Sequence, residues 1–336
     1  MKLKAAIAGC GGVAQVHAAA LASMPGAEII GAADPIFERA CLLSERYGGQ
    51  AYKSVDDMLG AQRPDVLHIC APHGVHAQIA LQALDIGVNV LCEKPPAISF
   101  AELDEIKAAV VPGGPQLGFC LQNRYNASAK KAMKLINSGK SGAALGARAF
   151  VTWSRGAEYY TGSGWRGKWA SEGGGVMINQ AIHTLDLMLL FMSDPVSFEG
   201  SVKNRHLKGV IETEDTAELY LDFGGGKTGL FYATTAYTED SPVILEIQCE
   251  NYVIVLSGDN LSLRGHDGTV TEIPLTHPTP TGKTYWGASH GILIGDFYRC
   301  VADGSPFPIG IDEASRALKV ILELYRDRPA VARPGV

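Results

Sequence analysis

The sequence predicts an α/β protein in two parts: an N-terminal doubly wound parallel sheet, then an α+β domain with an open, mainly antiparallel sheet. Three observations carry this. Over the first third, short apolar runs alternate with segments of helical period, the pattern of parallel strands joined by crossover helices. Beyond about residue 196, strand-like runs follow one another with few helices between them, as in an antiparallel sheet. The chain has 336 residues, more than the roughly 250–300 at which a single core stops growing. Two domains are therefore expected, residues 1–123 and 124–336.

Composition narrows the class. Hydrophobic residues make up 46% and charged residues 19% of the chain, as in a folded globular protein. The 29 Lys+Arg against 35 Asp+Glu give a net charge of −6 with no basic stripe, which excludes nucleic acid as the leading partner. No apolar run reaches the roughly 18 residues of a membrane span. The 7 cysteines are odd in number and none form C-x-x-C, so buried free thiols of a cytoplasmic protein are expected, with neither disulfide framework nor metal site. Ile7-Ala8-Gly9-Cys10 imitates a lipoprotein cleavage box. The apolar stretch before it is only about five residues, short of the ~7–15 of a signal core.

The elements follow in order. Leu3 to Ala8 reads as a strand that stops at Gly9-Cys10-Gly11-Gly12-Val13-Ala14, and Val13, Val16, Ala20 and Leu21 then recur at helical spacing. Strand, glycine turn and helix are the setting in which G-x-G-x-x-G/A has meaning. Gly9 permits the turn, Gly11 lets backbone approach a diphosphate, and Ala14 lets helix and strand pack closely. The diphosphate would rest on free N–H groups at the helix N-terminus, where the helix dipole favours negative charge. Ala27 to Ala33 is a second strand ending at Asp34, 20 positions beyond Ala14, where an acid meets the adenosine ribose. Its carboxylate repels a 2′-phosphate, which favours NAD over NADP. The expected fold is thus a Rossmann domain.

Ile36 to Tyr47 reads as helix, Val66 to Cys70 as buried strand, and Ala77 to Leu84 as a helix ended by Gly87. Val88 to Cys92 is another strand, Ser99 to Glu102 a capping box opening the next helix, and Gln116 to Cys120 a further strand. Ligands of such sheets bind beyond the strand C-termini. Those positions hold Pro72, His73 and the nearby His76, then Glu93 and Lys94, then Arg124 and Tyr125. Gly9 to Ala14 with His17, Ala71-Pro72 with His76, and Glu93-Lys94-Pro95 together resemble the glucose–fructose oxidoreductase/inositol dehydrogenase/rhizopine-catabolism (Gfo/Idh/MocA) family. The resemblance implies an NAD(P)-dependent oxidoreductase of a sugar or cyclitol, with Gly9, Gly11, Gly12, Val13, Ala14, Asp34, Pro72, His73, His76, Glu93 and Lys94 lining the cofactor.

In the second part, Ala129 to Asn137 is a helix closed by Gly139, and Arg148 to Thr152 begins a strand. A polar, aromatic loop runs from Trp153 to Glu172, and Gly173-Gly174-Gly175 opens an apolar helix from Val176 to about Met192. The expected strands are 196–204, 217–223, 228–235, 243–249, 253–256 and 270–273, and two helices, 289–302 and 312–326, close the chain. Asn179 and His183 are four apart on one helix face and Asp186 is three further. This run resembles the family's second motif, which makes His183 the catalytic histidine. Many members place Asp where this chain has Asn179; an amide does not take up a proton as a carboxylate does, so Asn179 is assigned to substrate positioning.

Histidine titrates near neutral pH and suits a general base, while a lysine cation stabilises a developing alkoxide. His183 and Lys94 are therefore the expected catalytic pair. Asp186 is expected to orient His183 or to meet backbone. Arg124, Tyr125, Arg155, Trp165 and Arg166 are expected at the substrate: aromatic faces pack on sugar C–H groups and arginines grip anions. The open sheet suggests a homodimer or homotetramer. Two other classes fit the same scaffold, a glycosidase acting through transient oxidation and a dinucleotide-binding sensor.

Overall fold

The computed structural model describes residues 2–276 and 289–326. The chain divides into two compact units, Met1–Gln122 with Pro278–Ser315, and Asn123–His277 with Arg316–Val336. Residues 277–288 and 327–336 of the expected second domain lie outside the described residues.

In the first unit, β1 (Leu3–Ala8), β2 (Ala27–Ala33), β3 (Gln50–Tyr52), β4 (Val66–Ile69), β5 (Asn89–Glu93) and β6 (Leu117–Cys120) form one sheet in the order β3-β2-β1-β4-β5-β6. Every pairing is parallel, and the order reverses beside β1, which makes the switch point where such sheets bind ligands. β1 lies between β2 and β4, and Ala5, Ala6, Ile7 and Ala8 are fully buried, which is why it reads as an unbroken apolar run. The crossovers are α1 (Gly12–Ala22), α2 (Phe37–Tyr47), α3 (Val55–Ala61), α4 (His76–Asp85) and α5 (Phe100–Ala109). The short β3 and α3 have no counterpart in the expected elements. Ser54 caps α3 by accepting the Asp57 N–H at 3.1 Å.

The capping box at α5 differs from expectation in one contact. Ser99 Oγ accepts the Glu102 N–H at 3.3 Å, but Glu102 Oε2 accepts from Ile98 N–H, one residue before the cap. α6 (Ala127–Asn137) opens the second unit's sequence.

The second sheet holds β7 (Ala144–Thr152), β8 (Ser197–Lys203), β9 (Thr216–Gly224), β10 (Lys227–Thr234), β11 (Ile244–Cys249), β12 (Val253–Ser257), β13 (Asn260–Arg264) and β14 (Val270–Glu272). Its order is β14-β13-β12-β11-β7-β10-β9-β8. Only β7 and β10 run parallel; the remaining pairs are antiparallel. Between β7 and β8 lie α7 (Ala157–Thr161), inside the stretch expected as loop, and α8 (Ile182–Met192), which packs on β7. Alternation sorts the faces: Leu219, Leu221 and Phe231 are buried, whereas Tyr220 and Leu230, paired on the opposite face, are exposed.

α9 (His290–Asp303) returns to the first unit, ending at Gly304 in the left-handed region with φ +73°. A Cβ at Gly118 of β6 would lie 2.8 Å from the Phe297 ring of α9. α10 (Ile311–Leu324) is the last described helix.

Candidate active site

The glycine turn of the first unit is built for close backbone approach. Gly9 has φ +85°, and a Cβ there would lie 2.7 Å from the Ala71 backbone, so only glycine fits. Gly11 is the N-cap of α1 with no side-chain cap, and a Cβ there would meet nothing within 4 Å. With no side-chain cap and room at Gly11, the helix N-terminus suits a diphosphate. Asp34 is buried; Oδ2 accepts the Cys10 N–H and Oδ1 the Ile36 N–H, each at 2.8 Å. It therefore holds the glycine turn in shape, and a carboxylate's four lone pairs leave capacity for ribose hydroxyls. Burial, then the nearby Asp34 charge, pushes the Cys10 thiol up to about 12.

Two residues expected to line the cofactor, His76 and Glu93, also meet protein groups. Fully buried His76 places Nδ1 on the Pro95 carbonyl and Nε2 on the Ala71 carbonyl, both at 2.8 Å. It ties the loop after β4 to the loop after β5, and burial holds its imidazole below the usual range. Glu93 Oε1 meets His17 Nε2 at 3.1 Å and His290 Nε2 at 3.3 Å. Burial alone would raise this carboxyl, but the two imidazoles outweigh it and leave it well below the ordinary carboxylate range. His17 Nδ1 meets His68 Nδ1 at 2.8 Å, and His68 Nε2 meets the Tyr298 hydroxyl at 2.9 Å.

One set of tautomers satisfies this chain: Tyr298 O–H donates to His68, His68 Nδ1–H to His17, and His17 Nε2–H to ionised Glu93. Both imidazoles are then neutral, in keeping with burial, which lowers His17 and His68. His17, Glu93 and Cys120 also bring N, O and S ligand atoms within 4.8 Å of one another, the only such metal-capable group among the described residues. Sequence reasoning missed this network, since His17 and Glu93 stand in separate motifs and His68, Cys120, His290 and Tyr298 in none. Lys94 is half-buried, while its neighbours from Val90 to Ile98 are buried. His73 is buried, its ring 5.7 Å from that of His76.

In the second unit, the three glycines before α8 include two forced by contact. A Cβ at Gly174 would enter the Tyr325 ring, and one at Gly175 would sit 2.9 Å from the Glu214 carbonyl carbon and closer still to its oxygen. Glu214 accepts the Gly175 and Met177 N–H groups at 2.9 and 3.0 Å, and the Tyr325 hydroxyl. Met177–Ala181 then forms a π turn before α8, where a continuous α-helix was expected; π turns often mark functional sites. His183 and Leu190 are the half-buried residues of an otherwise buried α8. Asn179 Nδ2 donates to Glu172 Oε1 at 2.6 Å, and Gly167 N–H donates to Glu172 Oε2. Burial pushes both the Glu172 and Glu214 carboxyls up to about 7. Neither acid was singled out from sequence; Glu172 directly before the glycines was the available signal.

Other expected residues are placed as follows. Asp186 Oδ2 and Oδ1 take Arg124 Nε and Nη2 at 2.8 and 2.6 Å. Arg124, expected at the substrate, is therefore clamped to Asp186. Arg155 Nη1 reaches both Asp240 oxygens at 2.7 and 3.0 Å. Buried Tyr125 carries the Lys130 ammonium 4.4 Å above its ring. Trp165 and Tyr159 carry the Arg166 guanidinium at 4.8 and 4.4 Å. Among the described residues all 7 cysteines are free, and only Cys41 is exposed. No helix among them is long and apolar enough to cross a membrane.

A parallel sheet of this order, opened by a glycine turn on a helix N-terminus, defines an NAD-binding Rossmann fold. The chain belongs to the Gfo/Idh/MocA family. The profile of the oxidoreductase family with an NAD-binding Rossmann fold matches residues 3–117, and that of the Gfo/Idh/MocA C-terminal domain matches residues 129–255. D-glucoside 3-dehydrogenase of Escherichia coli is 29% identical over 198 residues, 57% of this chain, and the match spans only 55% of that enzyme. The WlbA dehydrogenase of Bordetella pertussis, solved with NADH and UDP-GlcNAcA, is 25% identical, with TM-score 0.84 over 97% of this chain and 96% of that one. Levoglucosan dehydrogenase, solved with NADH and levoglucosan, shares the fold, with TM-score 0.85 at 20% identity over 96% of this chain and 97% of its own.

Proposed function

We propose that this protein interconverts a secondary alcohol and a ketone on a sugar, cyclitol or sugar derivative, with NAD as the hydride carrier. The observation that carries the reading is the glycine turn, in which Gly9 cannot bear a side chain, Gly11 has open space at its Cβ position and α1 has no side-chain cap. Support comes also from the family profile and from relatives that are sugar dehydrogenases. Gly9, Gly11, Gly12, Val13 and Ala14 would hold the diphosphate and Asp34 the adenosine ribose. Bound there, the nicotinamide takes or returns a hydride.

The chain's own residues manage position and protons. His183, half-buried on a buried helix, removes the hydroxyl proton in oxidation and returns it in reduction. Lys94 supplies a cation that stabilises developing alkoxide charge. Its loop is fixed from behind by His76 on Pro95 and by Glu93 between two histidines. Asn179, held by Glu172, positions a neighbouring hydroxyl. The open face around Tyr220 and Leu230 is the proposed homo-oligomer surface, and the free thiols suit a cytoplasmic enzyme.

The test is NADH formation by the full chain with myo-inositol, levoglucosan, methyl D-glucoside, D-glucuronate and UDP-N-acetylglucosaminuronate. NADH should accumulate with at least one of them. Lys94→Met and His183→Ala should each lower turnover by roughly 10²–10⁴-fold while NADH binding persists. Near-wild-type turnover in either variant overturns the assignment. Sugar release without net NADH would indicate the glycosidase class, and NADH binding without any turnover the sensor.

A further inference from the structure

The structure separates the three arginines expected at the substrate. Arg124 is held by Asp186 and Arg155 by Asp240. Arg166 makes no ion pair among the described residues. Its guanidinium carbon lies 4.4 Å from the centre of the Tyr159 ring and 4.8 Å from that of Trp165. Its backbone is fixed by N–H donation to Ser163 Oγ at 3.0 Å. Its Nε is buried and has no hydrogen-bond partner among the described residues. Gln180 touches the same tyrosine, with Nε2 donating to the Tyr159 hydroxyl at 3.3 Å, and its Oε1 is likewise buried without a partner among the described residues.

A native fold rarely leaves buried donors and acceptors unmade unless something else completes them. Here one orphan is a donor on a planar cation and the other an acceptor, on two side chains that meet the same ring. Aromatic faces hold a guanidinium in place without neutralising it. The Arg166 charge lowers the proton affinity of Glu172, whose oxygens are on Gly167 and Asn179. The fixed fork of a guanidinium matches a carboxylate or phosphate, and a side-chain carbonyl matches a hydroxyl.

We propose that Arg166 and Gln180 form an anion-and-hydroxyl subsite on the Tyr159 ring, so that the substrate is a sugar or cyclitol derivative bearing a carboxylate or a phosphate. This rests on the oxidoreductase reading above and narrows its substrate class.

The experiment uses the full chain labelled with ¹⁵N-arginine and saturated with NADH. The Arg166 Nε–H resonance is assigned by its loss in Arg166→Lys, which keeps the charge but not the fork. It is titrated at constant ionic strength with D-glucuronate, D-glucose 6-phosphate and D-glucose. At least one anionic probe should shift the resonance saturably and bind about tenfold or more tightly than glucose. The two anionic arms decide between carboxylate and phosphate. Arg166→Met should bring that probe down to the affinity of glucose with NADH binding unchanged, and Gln180→Leu should weaken charged and neutral probes alike. Equal binding of charged and neutral probes, binding of none, or a charge preference that survives Arg166→Met overturns the proposal. Failure to bind NADH strikes the oxidoreductase reading instead, and the probe titrations still decide the subsite.

Discussion

Glu172→Gln probes the electrostatics of the second unit with little change of shape. The carboxyl is 1% exposed, and burial raises it from the ordinary 4.5 to about 7. A group whose folded pKa lies above its unfolded one binds its proton more tightly in the folded state. Its stabilising contribution is complete below about pH 4.5 and is lost as pH rises through about 7. Above that, the buried charge costs about 3 kcal/mol, and between pH 5 and pH 8 the cost grows by about 2.5 kcal/mol. Glutamine does not ionise and keeps both contacts if the Asn179 amide turns over: Oε1 accepts the Gly167 N–H and Nε2 donates to Asn179 Oδ1. The stability of the variant relative to wild type should therefore improve by about 2.5 kcal/mol from pH 5 to pH 8. Urea unfolding followed by tryptophan fluorescence measures it, because Trp153, Trp165 and Trp169, three of the 4 tryptophans, lie in this unit. Glu214, also raised to about 7, is common to both proteins and largely cancels. A difference that stays flat with pH, or widens toward acid, refutes the reasoning.

Further outcomes follow from packing and pairing. Gly175→Ala forces a methyl into the Glu214 backbone and should destabilise the second unit by about 3 kcal/mol; an unchanged urea midpoint would contradict that contact. Asp186→Ala removes the bidentate partner of Arg124, whose side chain is 10% exposed, and should cost about 3–5 kcal/mol. Asp186→Asn, which keeps an acceptor, should cost less, and equal losses in the two variants would deny the ion pair its role.

Much of the fold could be read from the chain because its signals are local. Strand Ala27–Ala33 was expected with the bounds observed. Apolar runs at Val66, Val88 and Gln116 fell on β4, β5 and β6 to within a residue or so. The missed elements are weak for stated reasons. β3 has 3 residues and α3 has 7, too few for a period to emerge, and β13 is a 5-residue strand with two polar residues and an arginine. The π turn at Met177–Ala181 was invisible because helical periodicity does not distinguish i→i+5 bonding over a single turn. Site residues were recognised by type and position, but not their partners: Arg124 and Arg166 look alike in sequence, and only one of them meets an aspartate.

The sequence by itself determined the glycine turn, the acid that follows it and the alternation of the first unit, since φ preference and hydrophobic period act over a few residues. Tertiary structure alone decided which acids are buried, which arginines are neutralised and where α9 belongs. Those outcomes join residues far apart in the chain: His17 and Glu93 are separated by 76 positions, Arg124 and Asp186 by 62, and His68 and Tyr298 by 230. The charge state and role of a polar side chain depend on what desolvates and pairs with it, and no local pattern encodes a neighbour that folding brings from so far away.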